Sequence, residues 1–108
     1  MKTAAPRHAV ATTDGLQLSA LMEGRSDGPT LVLVHGYPDN LHVWDHVAAT
    51  LADRYRIIRY DVRGAGQSDA PSRFSGYQLC QLLADFRRVI DQLSPHAPVH
   101  LIGHDWAS

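Results

Sequence analysis

The chain has 108 residues, 44% of them hydrophobic and 19% charged, with a formal net charge of -1 at pH 7. That balance is the balance of a compact globular enzyme segment and carries no electrostatic case for nucleic acid or an anionic membrane as partner. After Lys2 the N-terminus has no apolar stretch of signal-peptide length, and no run approaches a membrane span, so the sequence reads as cytoplasmic.

Ala9-Val10-Ala11-Thr12 and the alternating Leu16-Gln17-Leu18-Ser19-Ala20 flank Thr13-Asp14-Gly15, which predicts an edge hairpin turning at the glycine. Asp27-Gly28-Pro29 then breaks the chain before Thr30-Leu31-Val32-Leu33-Val34, a run apolar on both faces, as expected of a strand covered by helices on each side. Trp44, Val47 and Leu51 recur at helical spacing and predict a first crossover helix before the strand Arg56–Tyr60. A longer stripe of Leu79, Leu82, Leu83, Phe86, Val89, Ile90 and Leu93 predicts a second, which leads into a last apolar strand over Val99–Gly103. Strand, helix, strand, helix, strand at these lengths is a doubly wound α/β arrangement, in which sites form at the carboxyl ends of strands. The chain shows no internal repeat, low-complexity tract or linker.

Three motifs fall at such ends. His35-Gly36-Tyr37-Pro38 closes the strand Thr30–Val34, Asp61-Val62-Arg63-Gly64-Ala65-Gly66-Gln67-Ser68-Asp69 follows Arg56–Tyr60, and Gly103-His104-Asp105-Trp106-Ala107 follows the last strand. In the third, small residues at Gly103 and Ala107 bracket a central side chain, the spacing that turns a strand sharply into a helix with that side chain exposed above the sheet. The central residue is Asp105. A carboxylate is ionised at neutral pH and attacks a saturated carbon without a base to deprotonate it, so the chemistry implied is displacement at carbon followed by ester hydrolysis. Taken alone, Asp105 also reads as the N-cap of a following helix, and His35–Pro38 as a plain strand-ending turn. The glycines of the middle motif have GxG spacing without a third glycine or a prompt helix N-terminus, which argues against a phosphate loop.

Taken together, the three resemble a known family. The chain is similar to the α/β-hydrolase fold, in the branch of epoxide hydrolases and haloalkane dehalogenases, whose members show HGxP, DxRGxGxS and GHDWG in this order. The resemblance runs from roughly Leu16 to Ser108 and departs from the pattern only mildly at Ala107, where glycine is usual. It implies the N-terminal half of that fold, a mostly parallel sheet with crossover helices and an antiparallel N-terminal hairpin. Residues 1–108 then form an incomplete core domain, with the second half of the core and the lid absent and the catalytic acid and histidine beyond residue 108. Hydrolysis of an Asp105 ester creates an oxyanion, for which the backbone N–H groups of Trp106 and Tyr37 are the expected donors. Gly36, Pro38 and Gly103 are expected to shape those turns, and Arg63 and Asp61 to brace the loop beneath the site. The function implied is epoxide hydrolysis to a vicinal diol through an aspartyl ester, with a small apolar epoxide or halide as substrate. Haloalkane dehalogenation is the alternative, although that branch usually has asparagine where this chain has Tyr37. A non-catalytic fragment or interaction module is another, since no general base follows Asp105. The segment is also similar to the hydrolase half of bifunctional proteins that continue into a short-chain dehydrogenase domain.

No cofactor and no metal site are implied. His42 and His46 lie four apart without the glutamate of a zinc-protease motif and read as surface residues. His100 and His104 flank the last strand, and neither reads as the general base. The lone Cys80, inside the apolar helical stripe, reads as a buried inert thiol.

Overall fold

The computed structural model describes residues 7–36 and 39–103. Five strands form one mixed sheet: β1 (Arg7–Ala11), β2 (Gln17–Gly24), β3 (Thr30–Val34), β4 (Arg56–Tyr60) and β5 (Val99–Gly103), in the spatial order β1-β2-β4-β3-β5. The N-terminal hairpin is present, with Val10 opposite Leu18, and β2 continues past it to pair antiparallel with β4. β3 lies between β4 and β5 and is parallel to both, so its apolar character on both faces corresponds to its central place.

Alternation along β3 and β4 sorts the core into two layers. Leu31, Leu33 and Ile57 point to the face covered by α1 (Asp45–Leu51), where Ala48 is buried against them and Trp44, Val47 and Leu51 pack around. Val32, Ile58 and Tyr60 point to the opposite face, against Val89 and Leu93 of α2 (Leu79–Leu93). The two crossover helices therefore lie on opposite faces, as a doubly wound sheet requires. Trp44 belongs to a 3-10 turn, Leu41–Trp44, that precedes α1, not to the helix itself. That turn opens on Asn40, whose side chain accepts from the His42 N–H at 2.9 Å.

Two expectations for α2 need correction. Cys80 is exposed, not buried. Leu79 and Leu83 are exposed as well, at 69% and 58%. Leu79 and Leu83, with Leu82, line an open cavity shared with Val34 of β3 and with Leu101 and Gly103 of β5, so the apolar stripe is fully buried only in its later half, at Val89 and Leu93. β5 is similarly the edge strand among the described residues, with Leu101 57% exposed. No helix among the described residues is long and apolar enough to cross a membrane.

Candidate functional site

Two loops leave the carboxyl ends of β3 and β4 side by side and are bound to each other. His35 is fully buried at the end of β3. Its Nδ1 lies 2.9 Å from the Gly36 carbonyl, and its Nε2 lies 3.0 Å from the Val62 amide nitrogen. A carbonyl only accepts and an amide N–H only donates, so the ring carries its proton on Nδ1 and spends both nitrogens on the two loops. Gly36 O also accepts from the Asp39 N–H at 2.9 Å, which closes the first loop on itself.

Asp61 forms the second brace. Its buried carboxylate accepts from the Leu41 N–H at 2.8 Å, the Gln67 N–H at 2.9 Å and the Arg7 guanidinium at 3.0 Å. One side chain thus holds the start of the 3-10 turn, the glycine loop after β4 and the first residue of β1. The glycine loop passes so close that a Cβ at Gly66, where φ is +50°, would collide with the Asp61 carboxylate. Ser68 and Asp69 fasten the loop to β2: Ser68 Oγ accepts from the Ser19 N–H at 2.8 Å, and Asp69 Oδ2 from the Gln17 N–H at 2.9 Å.

Arg63 is the third brace and is wholly buried. It meets Asp85 of α2 through Nε and Nη2, both at 2.7 Å, and Asp14 of the hairpin turn at 2.9 and 3.0 Å, and it donates to Gly76 O at 2.7 Å. The hydrogen bonds it donates to Asp85, and then to Asp14, outweigh desolvation and hold the guanidinium above the ordinary arginine range. Burial, aided by the neighbouring Asp85 carboxylate, pushes the Tyr60 phenol upward in the same region. The expectation that Asp61 and Arg63 brace the loop is matched by these contacts, and neither carboxylate partner of Arg63 was indicated by the sequence.

Above the braces lies a cavity of about 550 Å³, a volume suited to a small molecule. Its floor is His35, Val62 and the loop Gly64–Gly66, and its walls include Asp39, Asn40, Phe74 and Tyr77. Both aromatics come from a second 3-10 turn, Phe74–Tyr77.

Of the expected site residues, Gly36 is buried at the end of β3 and Gly103 is the last residue of β5. Gly103 is the register partner of Val34, so the strands that precede the first and third motifs end level with one another. Asp105, Tyr37, Trp106, Pro38 and His104 lie outside the described residues. His42 and His46 are exposed, with His42 Nδ1 3.2 Å from Asp45. Among the described residues no group of three or more His, Cys, Asp or Glu is arranged to hold a metal ion.

The family described as alpha/beta hydrolase fold matches residues 29–108, nearly three quarters of the chain. The chain belongs to the α/β-hydrolase fold family. Within it, a probable oxidoreductase named EphD from Mycobacterium tuberculosis is 48% identical over 99 residues, which are 92% of this chain and 17% of that protein. Epoxide hydrolase 4 of Mus musculus is 36% identical over 92 residues, 85% of this chain and 25% of its own. Among solved structures, epoxide hydrolase VrEH1 from Vigna radiata superposes with a TM-score of 0.83 at 30% identity, covering 93% of this chain and 32% of that one. The resemblance to the epoxide hydrolase branch of this family therefore holds, and the chain spans a third or less of the length of these relatives.

Proposed function

We propose that the protein of which this α/β-hydrolase segment forms part opens a small epoxide to a vicinal diol through an ester on Asp105. The supporting observation is the pairing of β3 with β5 in register, which ends the strands carrying the His35 and Asp105 motifs level at one end of the sheet, in a chain whose relatives are named epoxide hydrolases. A carboxylate oxygen of Asp105 forms a bond to a ring carbon as the ring C–O bond breaks, and the released alkoxide takes up a proton. Water then adds to the ester carbonyl, its proton passing to a base supplied outside residues 1–108. The resulting oxyanion is held by the backbone N–H groups of Tyr37 and Trp106, and its collapse frees the diol and restores the carboxylate. In this reading the His35, Asp61 and Arg63 braces keep the loops at the site in place throughout the two steps. No metal or cofactor is needed for either step.

The rival reaction is haloalkane dehalogenation with the same nucleophile. Styrene oxide and 1-chlorobutane offered in parallel to the natural polypeptide separate the two: diol from the first is expected, and halide release without diol would overturn the assignment. The ester itself is tested by a single turnover in ¹⁸O-water with enzyme in excess. The label should enter the Asp105 carboxylate, leaving unlabelled oxygen in the first diol formed; label in that diol would mean direct attack by water. If Asp105 is the nucleophile, Asp105→Asn lowers turnover by about a thousandfold or more. A non-catalytic module predicts no diol from any form of the protein. The name of the mycobacterial relative supports the further reading that a dehydrogenase domain follows the hydrolase segment. The intact mass of the polypeptide from its native cells tests that reading.

A further inference from the structure

The 3-10 turn Phe74–Tyr77 presents two aromatic side chains to the cavity on a mount that has little freedom to move. Arg63, buried and held by two carboxylates, donates to the Gly76 carbonyl at 2.7 Å inside this turn. Tyr77 packs so closely over Gly64, where φ is +81°, that a Cβ there would collide with its hydroxyl. Phe74 lines the same cavity, yet it is 95% exposed, the most exposed of the large hydrophobic side chains described. An open phenyl ring beside a cavity of small-molecule size offers a face on which an apolar substituent of a bound molecule can pack. The lining combines the polar Asp39 and Asn40 with the apolar Val62, Ala65, Phe74 and the ring of Tyr77.

We propose that Phe74, carried on this turn, is the specificity-determining wall of the substrate cavity and selects substrates that bear a planar, aryl-type apolar substituent. Offset or edge-to-face packing of that substituent on Phe74 supplies the selection, and the turn's attachment through Gly76 and Tyr77 to Arg63 and Gly64 places Phe74 beside the cavity before the substrate arrives. The proposal relies on the epoxide reading for what is turned over, and on the cavity alone for what is bound.

The natural polypeptide and its Phe74→Ala variant are compared in two ways. Calorimetric titration with 1-phenyl-1,2-ethanediol reads binding without turnover, and Phe74→Ala is expected to weaken it by about tenfold. Steady-state kinetics with styrene oxide and with propylene oxide then read selection: KM for styrene oxide should rise by about the same factor with kcat within about twofold, while propylene oxide kinetics stay unchanged. Equal diol affinity of the two proteins, or equal losses on both epoxides, would overturn the proposal. So would a marked fall in the thermal midpoint of the variant, because it would mean that another part of the polypeptide covers Phe74. Absence of turnover with diol binding intact would count against the hydrolase reading alone, and turnover of propylene oxide with no diol binding against the aromatic wall alone.

Discussion

Arg63 grips Asp85 through two parallel hydrogen bonds of 2.7 Å, with the guanidinium wholly buried and the carboxylate 2% exposed. The pair joins the loop after β4 to the middle of α2, and through the same guanidinium the hairpin turn is held by Asp14. Three segments far apart in the chain thus depend on one charged group in the interior. Removing one partner of a buried pair leaves the other uncompensated, which costs far more than the net strength of the pair.

Asp85→Asn should accordingly destabilise the fold by about 3 kcal/mol, and Arg63→Met by a comparable amount since it strands two carboxylates. Urea unfolding of the natural polypeptide followed by circular dichroism reads this as a lower midpoint at unchanged slope. A midpoint that does not move in either variant would show that Arg63 has no bracing role.

Asp14 makes stability depend on pH at the acid end. The hydrogen bonds from Arg63, and then from Thr12, hold its carboxyl at about 2 against an ordinary 3.8. A carboxyl depressed in the folded state contributes its stability in full above the unfolded value of 3.8 and loses it as pH falls through about 2. The thermal midpoint of the wild type should therefore exceed that of Asp14→Asn at pH 6, and the gap should close between pH values of about 4 and 2. A gap constant across that range would mean that Asp14 does not titrate with folding.

Gly66→Ala tests the close approach of the glycine loop to Asp61. The added methyl meets the carboxylate and must be carried at positive φ, so a loss of about 2 to 3 kcal/mol is expected, larger than for alanine at an ordinary loop glycine. Thermal unfolding of Gly66→Ala beside Gly15→Ala, where φ is +90° and an added Cβ meets nothing within 4 Å, separates the contact with Asp61 from the cost of positive φ alone.

His35→Phe keeps the ring volume but leaves the Val62 N–H buried without an acceptor, a cost of about 1 to 3 kcal/mol. It also releases the Gly36 carbonyl, next in the chain to the proposed oxyanion donor Tyr37. In a variant that remains folded, kcat for epoxide turnover should fall more than KM rises, because an oxyanion contact acts in the transition state. A pure KM effect would place His35 in substrate binding instead.

The existence of the five strands, both crossover helices and the order of the three motifs are legible in the sequence, although β2 runs on to Gly24, beyond the alternating Leu16–Ala20. The runs Thr30–Val34, Arg56–Tyr60 and Val99–Gly103 coincide with β3, β4 and β5, and the apolar character of Thr30–Val34 on both faces corresponds to its covered place at the centre of the sheet. The family resemblance also pointed to Asp61 and Arg63 as braces of the loop beneath the site. Which partners was beyond it: Arg63 reaches Asp85 across 22 positions and Asp14 across 49, and Arg7 reaches Asp61 across 54. Such pairs leave no periodic trace, because the residues meet only once the strands have taken the order β1-β2-β4-β3-β5. The same holds for burial along α2. Helical spacing shows that Leu79, Cys80 and Leu83 lie in or beside an apolar stripe, but only the docking of the helix decides that Val89 and Leu93 are covered while Leu79 and Leu83 line an open cavity over β3 and β5 and Cys80 is exposed. Periodicity specifies which face of a helix is apolar, whereas the closeness of its packing on the neighbouring layer decides how much of that face is buried.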